Sequence, residues 1–222
     1  MKSKDQGEQR NDTIPSFDFT SILHLTLKAW PVITLVTIGL CFLTQLVAGW
    51  FGIELKEQPI IIQLRQAGIY TWQVLTTEGL GAALNRDVSK GFLLNVPFIL
   101  LFAPVFEEIL FRLCLWKLPS KLLSAIAAKC RLAAAAPAIT VVVAVLASAV
   151  FSSAHFIDKE TIQRTGEWAW LPLNNGFIAL GCFGLAQCWL YAKTKWLWSP
   201  MLSHFLFNLT NLVLLFILPE SV

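Results

Sequence analysis

Apolar residues in this chain gather into long runs broken by short polar stretches, and five of the runs are almost free of charge. Residues 30–51 contain no charged side chain and are long enough to cross roughly 30 Å of hydrocarbon at about 1.5 Å per residue. Residues 92–106 are also uncharged and lead straight into Glu107 and Glu108, with Pro97 and Pro104 expected to kink the helix. Residues 133–156, residues 173–191 with Gly176, Gly181 and Gly184, and residues 196–218 complete the set. Small residues in the third run, such as Ala147, Ser148 and Ser152, allow neighbouring helices to approach closely.

The stretches between these runs read differently. Phe17, Phe19, Ile22, Leu23, Leu25 and Leu27 make residues 17–28 a partly amphipathic approach suited to the membrane interface, where His24 reads as a surface or packing residue. Residues 59–84 mix Pro59, Arg65 and Glu78 with Ile69, Tyr70, Trp72 and Val74. One or two amphipathic helices are expected there, lying on the membrane or covering the bundle. Residues 1–18 are too polar to stay ordered, and the loop 157–171 is polar with mixed charge. The pattern predicts an all-α, polytopic transmembrane helix bundle of five or six spans with interfacial amphipathic helices. Its parts are a polar tail and interfacial approach (1–28), a first transmembrane helix with an amphipathic segment (29–91) and a core (92–218).

Composition agrees. Of 222 residues, 56% are hydrophobic and 14% charged, and the mean hydropathy is +0.64. An ordinary soluble domain is about 25% charged, so the chain reads as an integral membrane protein. The net charge of +3 and the basic residues scattered between apolar runs leave no nucleic-acid footprint. Lys117, Lys121, Lys129 and Arg131 follow the second run without an acid and read as a cytoplasmic basic loop. With five spans and the N-terminus inside, ten basic residues fall on the inner side and six on the outer, which favours that orientation. No short apolar core with a small-residue cleavage site follows the N-terminus, so the first run reads as an uncleaved anchor. The five cysteines form no CxxC pair and read as small buried hydrophobes.

A few polar residues sit where they are expensive. Glu107, Glu108 and Arg112 lie inside an apolar run, where each charge costs about 2.5–3.5 kcal/mol on insertion scales. In a helix Glu108 and Arg112 share a face and can pair, while Glu107 projects about 100° away and is left over. A leftover carboxylate in a low-dielectric setting is a candidate acid or base. His155 and His204 sit in separate apolar runs; His204 and Asn208 share a helix face, as do Phe151 and His155. Each residue alone is explained well enough by an interhelical hydrogen bond. Together, a free carboxylate, two imidazoles and an amide are the parts for splitting an amide bond with water: a base for the water and donors for the oxyanion.

EEILFR at 107–112, FSSAH at 151–155 and HFLFN at 204–208 resemble the EExxxR, FxxxH and HxxxN/D motifs of the CPBP family, the CAAX protease and bacteriocin-processing intramembrane proteases that include type II CAAX prenyl endopeptidases. The resemblance covers residues 92–218. It implies a membrane endopeptidase in which Glu107 and His155 activate water, His204 and Asn208 polarise the carbonyl and stabilise the oxyanion, and Glu108, Arg112 and Phe151 are supporting residues. It further implies a lipid bilayer and a peptide or membrane-protein substrate as partners, and a prokaryotic cell membrane as location. Many members have glycine where this chain has Leu113, which bears on local packing. His155, His204 and Glu107 are also a plausible Zn²⁺ set with a fourth position for water, though not in an HExxH arrangement; the resemblance leaves both a metal-dependent and a metal-free reaction open.

One geometric difficulty stands. In five alternating spans Glu107 and His204 lie toward the inner side and His155 near the outer end. Either residues 113–131 re-enter or cross the bilayer, or the segment bearing His155 starts deeper. The rival readings are a non-catalytic membrane adaptor or bacteriocin-immunity-type protein on the same scaffold and, less well supported for want of an inverted repeat, a proton-coupled transporter.

Overall fold

A computed structural model describes residues 18–53, 55, 59–157 and 176–217. The expectations for the tail 1–17 and the loop 158–171 lie outside the described residues. Every extended element among the described residues is helical. Helix α1 (Phe19–Trp50) starts at Asp18, whose carboxylate accepts from the Ser21 N–H at 3.3 Å. It continues through Pro31 without a break, so the interfacial approach and the first run are one helix. Residues 59–84 resolve into α2 (Pro59–Thr77) and α3 (Leu80–Asn85). An exposed Glu78–Arg86 ion pair of 2.8 Å ties the segment together, and α2 packs on α4 (Asp87–Pro97).

From Asp87 the chain stays helical as far as Lys129, widening twice from the α to the π period. After α4 come a π segment, π1 (Phe98–Phe102), then α5 (Ala103–Glu108), a second π segment, π2 (Ile109–Lys117), and α6 (Leu118–Lys129). Pro104 and Pro119 each stand two residues beyond the end of a π segment. A proline ring clashes with the carbonyl four residues earlier and offers no N–H; widening the turn accommodates both faults, and the expected kink appears here as a change of helical period. The stretch expected to be a basic loop is therefore helix through Lys129. The turn follows at Cys130–Leu132, with Arg131 in the left-handed region at φ 62°.

That correction removes the difficulty of depth. Residues 133–135 form a short 3₁₀ turn, and α7 (Ala136–Ala154) runs back against α6 and π2. Glu107 and His155 lie equally far in sequence from Arg131, one before and one after. Two antiparallel helices joined at that residue bring them to the same level. Helices α8 (Phe177–Thr194) and α9 (Trp198–Ile217) close the bundle.

Among the described residues three helices are long and apolar enough to cross a membrane: Phe19–Trp50, Ala133–Ala154 and Trp198–Ile217. Their outward faces carry exposed apolar side chains such as Leu35, Phe42, Leu46, Val141, Leu146 and Ile217, a surface suited to lipid and not to water. Helix α8 packs against α1, α7, α9 and π2, and its packed side carries a fully buried Gln187. Of the five cysteines, all free, only Cys188 is buried, and Cys114 and Cys130 are exposed. Leu113 packs against the cluster of Trp116, Val143, Ala144, Ala147, Cys188 and Tyr191.

Close approach of α7 and α8 depends on Gly184. A Cβ there would lie 3.0 Å from the Ser148 Cβ and 3.2 Å from its Cα, whereas Gly181 faces open space. Gly184→Leu is expected to destabilise the bundle by about 1–3 kcal/mol through overpacking. Gly181→Ala should melt at or above the parent temperature because alanine is the better helix former; thermal unfolding in detergent compares the two.

Candidate active site

The cluster starts from Glu108, which is fully buried together with Arg112. Arg112 donates from Nε to Glu108 Oε2 at 2.6 Å and from a terminal nitrogen to Oε1 at 3.3 Å. This is the pair expected from the sequence spacing. The carboxylate has a second partner the spacing does not reveal: His204 Nδ1 lies 3.0 Å from Glu108 Oε1. Glu108 thus holds an imidazole on α9 as well as a guanidinium on its own helix.

The partners assign the histidine tautomers. Glu108, paired with Arg112, can only accept, so His204 Nδ1 carries hydrogen. His155 sits just past α7, where the end of the helix frees the Phe151 carbonyl, and its Nδ1 lies 2.8 Å from that oxygen. A carbonyl also only accepts, so this Nδ1 is protonated too. In each neutral ring the remaining nitrogen, Nε2, then bears a lone pair. Both face the same atom: Glu107 Oε2 lies 3.8 Å from His155 Nε2 and 3.7 Å from His204 Nε2. That oxygen is buried and has no hydrogen-bond partner. Three acceptors therefore converge on one spot, and such a spot attracts a proton, a water or a cation.

Aromatic rings hold the imidazoles. Phe151, 1% exposed, lies 4.6 Å from the His155 ring and 6.0 Å from the His204 ring between centroids, and Phe183 meets His204 edge-on at 5.1 Å. The Arg112 guanidinium stands 5.5 Å from the Phe151 centroid. The cluster is reached at Glu107 and His155, whose side chains are 27% and 31% exposed, while that of His204 is 4% exposed.

Asn208 is one turn along α9 from His204 and donates from Nδ2 to the Ile99 carbonyl at 3.0 Å. That carbonyl is available because the Ala103 N–H bonds Phe98 O across the π turn, and Pro104, next in line, has no N–H. An amide nitrogen has two hydrogens, so Asn208 fastens α9 to π1 with one and retains the other.

The sequence reading missed Phe183, the Ile99 carbonyl and the Gln187–Ser203 hydrogen bond of 3.1 Å beneath His204. Gln187, the one side-chain amide of α8, was the available signal; the backbone carbonyl had none.

Among the described residues no three His, Cys, Asp or Glu groups gather closely enough to grip a metal as placed. In kind, two imidazole lone pairs and a carboxylate match zinc. In spacing, gaps of 3.7 and 3.8 Å exceed by a few tenths the ~3.4 Å edge of a tetrahedral site with bonds near 2.0–2.1 Å.

Fold and cluster together define an integral membrane protein with a carboxylate–imidazole site in its helical interior. The profile of the type II CAAX prenyl endopeptidase Rce1-like family matches residues 89–210, more than half of the chain, including Glu107, Glu108, Arg112, Phe151, His155, His204 and Asn208. The chain belongs to this family of CAAX-type intramembrane proteases. No curated protein and no solved structure matches it.

An arginine buried for the sake of one carboxylate predicts a particular stability pattern. Arg112→Met should cost about 3–5 kcal/mol, because Glu108 is then a buried charge without its main partner; Glu108→Leu combined with Arg112→Met should cost less than the single change. Thermal melts of the three proteins in detergent check the order.

Proposed function

We propose that this protein hydrolyses a peptide bond of a membrane-associated substrate with a water activated by Glu107 and His155. The observation that carries the reading is the convergence of two histidine nitrogens on the buried, unpartnered Oε2 of Glu107. A water at this spot gives a proton to Glu107 as it attacks the carbonyl carbon, and His155 orients it. His204 keeps its Nδ1–H on Glu108 and takes part in holding the developing oxyanion only in its imidazolium form, when Nε2 carries hydrogen in place of the lone pair. The second N–H of Asn208 is the other donor. When the tetrahedral intermediate breaks down, Glu107 passes its proton to the leaving amine.

Zinc is the variant of this reading that the donor set permits. Glu107, His155 and His204 would hold it, and it would supply Lewis acidity and a more acidic bound water. The family description points to a prenylated CAAX C-terminus as the first substrate class to test, with leader peptides and other membrane proteins beside it.

In proteoliposomes, Glu107→Gln should lower cleavage by about 10²–10⁴-fold at normal abundance and melting temperature, and Asn208→Ala by about 10²–10³-fold in the folded protein, with a lower melting temperature because the Ile99 carbonyl loses its donor. Cleavage undiminished by both changes would sink the proposal and favour the adaptor reading. For the metal variant, chelation followed by zinc addition should abolish and restore turnover; a fully metal-depleted protein that still cleaves excludes zinc.

A further inference from the structure

A second cleft opens at the far end of π2 from Glu108, where α6 begins beside the C-terminal end of α8. Its volume is about 410 Å³, and its lining includes Lys117, Ser120, Lys121, Ser124, Tyr191 and Lys195. No carboxylate lines it, and no ion pair among the described residues involves any of these lysines. Lys117 instead donates to the Tyr191 hydroxyl and lies 4.8 Å from the centroid of that ring. Ser120 is only 6% exposed, yet its Oγ has no hydrogen-bond partner, although a buried hydroxyl ordinarily finds one. Lys195 closes α8 in the left-handed region at φ 58°, a position at which glycine is ordinarily favoured.

Three cations without acids and a buried hydroxyl without a partner suit an anion rich in acceptor oxygens. The surroundings suit one with hydrocarbon attached. Leu118 and Leu122, each next in sequence to a cleft lysine, are 59% and 63% exposed. Lys117 and Lys121, read as cytoplasmic from the sequence, meet Lys195 of the basic turn after α8 here in space. Anionic lipids are concentrated in the cytoplasmic leaflet, and basic pockets between helices bind their headgroups.

We infer that this cleft binds the phosphate of an anionic phospholipid headgroup, held by Lys117, Lys121 and Lys195 with the Ser120 hydroxyl donating and the acyl chains lying along Leu118 and Leu122. The site is distinct from the glutamate–histidine cluster and does not depend on its chemistry.

Native mass spectrometry of the full-length protein released from nanodiscs of mixed phosphatidylglycerol and phosphatidylcholine tests this. The unmodified protein should retain phosphatidylglycerol in preference to phosphatidylcholine. Lys121→Gln combined with Lys195→Gln, both on exposed side chains, should lower that retention about tenfold or more while melting with the parent. Ser120→Ala, which leaves the charge unchanged, should lower it about threefold. Equal retention of the two lipids, or phosphatidylglycerol retention unchanged in the double variant, overturns the proposal. Inorganic phosphate is the control for the lipid part: if it displaces phosphatidylglycerol as readily as a short-chain phosphatidylglycerol does, the cleft takes free phosphate and the lipid assignment fails.

Discussion

A fully buried carboxylate is tolerable only if its neighbours replace the water it has lost, and much of this bundle is arranged around doing so for Glu108. Arg112 grips it from its own helix and His204 from α9. The first contact explains why an arginine can sit in an apolar helix. The second locks α9 in register and decides which nitrogen of His204 faces Glu107. The imidazole lies between two adjacent carboxylates that leave the helix in different directions, so Glu108 positions the group that the proposed reaction uses on the other side.

The proline-widened turns belong to the same construction. Pro104 withholds an N–H from Ile99, and Asn208 makes good the loss, so that the fault in one helix becomes the anchor of another. Continuity of the helix beyond Glu108 then places the turn at Arg131, and the hairpin returns His155 to the level of Glu107. Phe151 ties the arrangement together by packing against both imidazoles and the guanidinium.

The same inversion of polarity governs the whole bundle. Apolar side chains face outward along α1, α7 and α9, while the polar groups converge inside, around α8. Gly184 allows α7 to approach, and the Gln187 amide spans to Ser203. The unpartnered Oε2 of Glu107 is one of several such buried atoms, and it is the one that two imidazole nitrogens face.

The sequence by itself determined the membrane class, the helical architecture and the pairing of Glu108 with Arg112, and it nominated Glu107, Phe151, His155, His204 and Asn208 as candidates. These follow from hydropathy and from helical spacing, which act within about a turn of any residue, and from the resemblance of three short motifs. Only the tertiary structure decided that the basic stretch at Lys117–Lys129 is helix, that His155 meets Glu107, that Glu108 also holds His204, and that Ile99 lends Asn208 a carbonyl. Each of these depends on contacts between helices far apart in the chain or on a backbone oxygen, and local spacing carries no record of either.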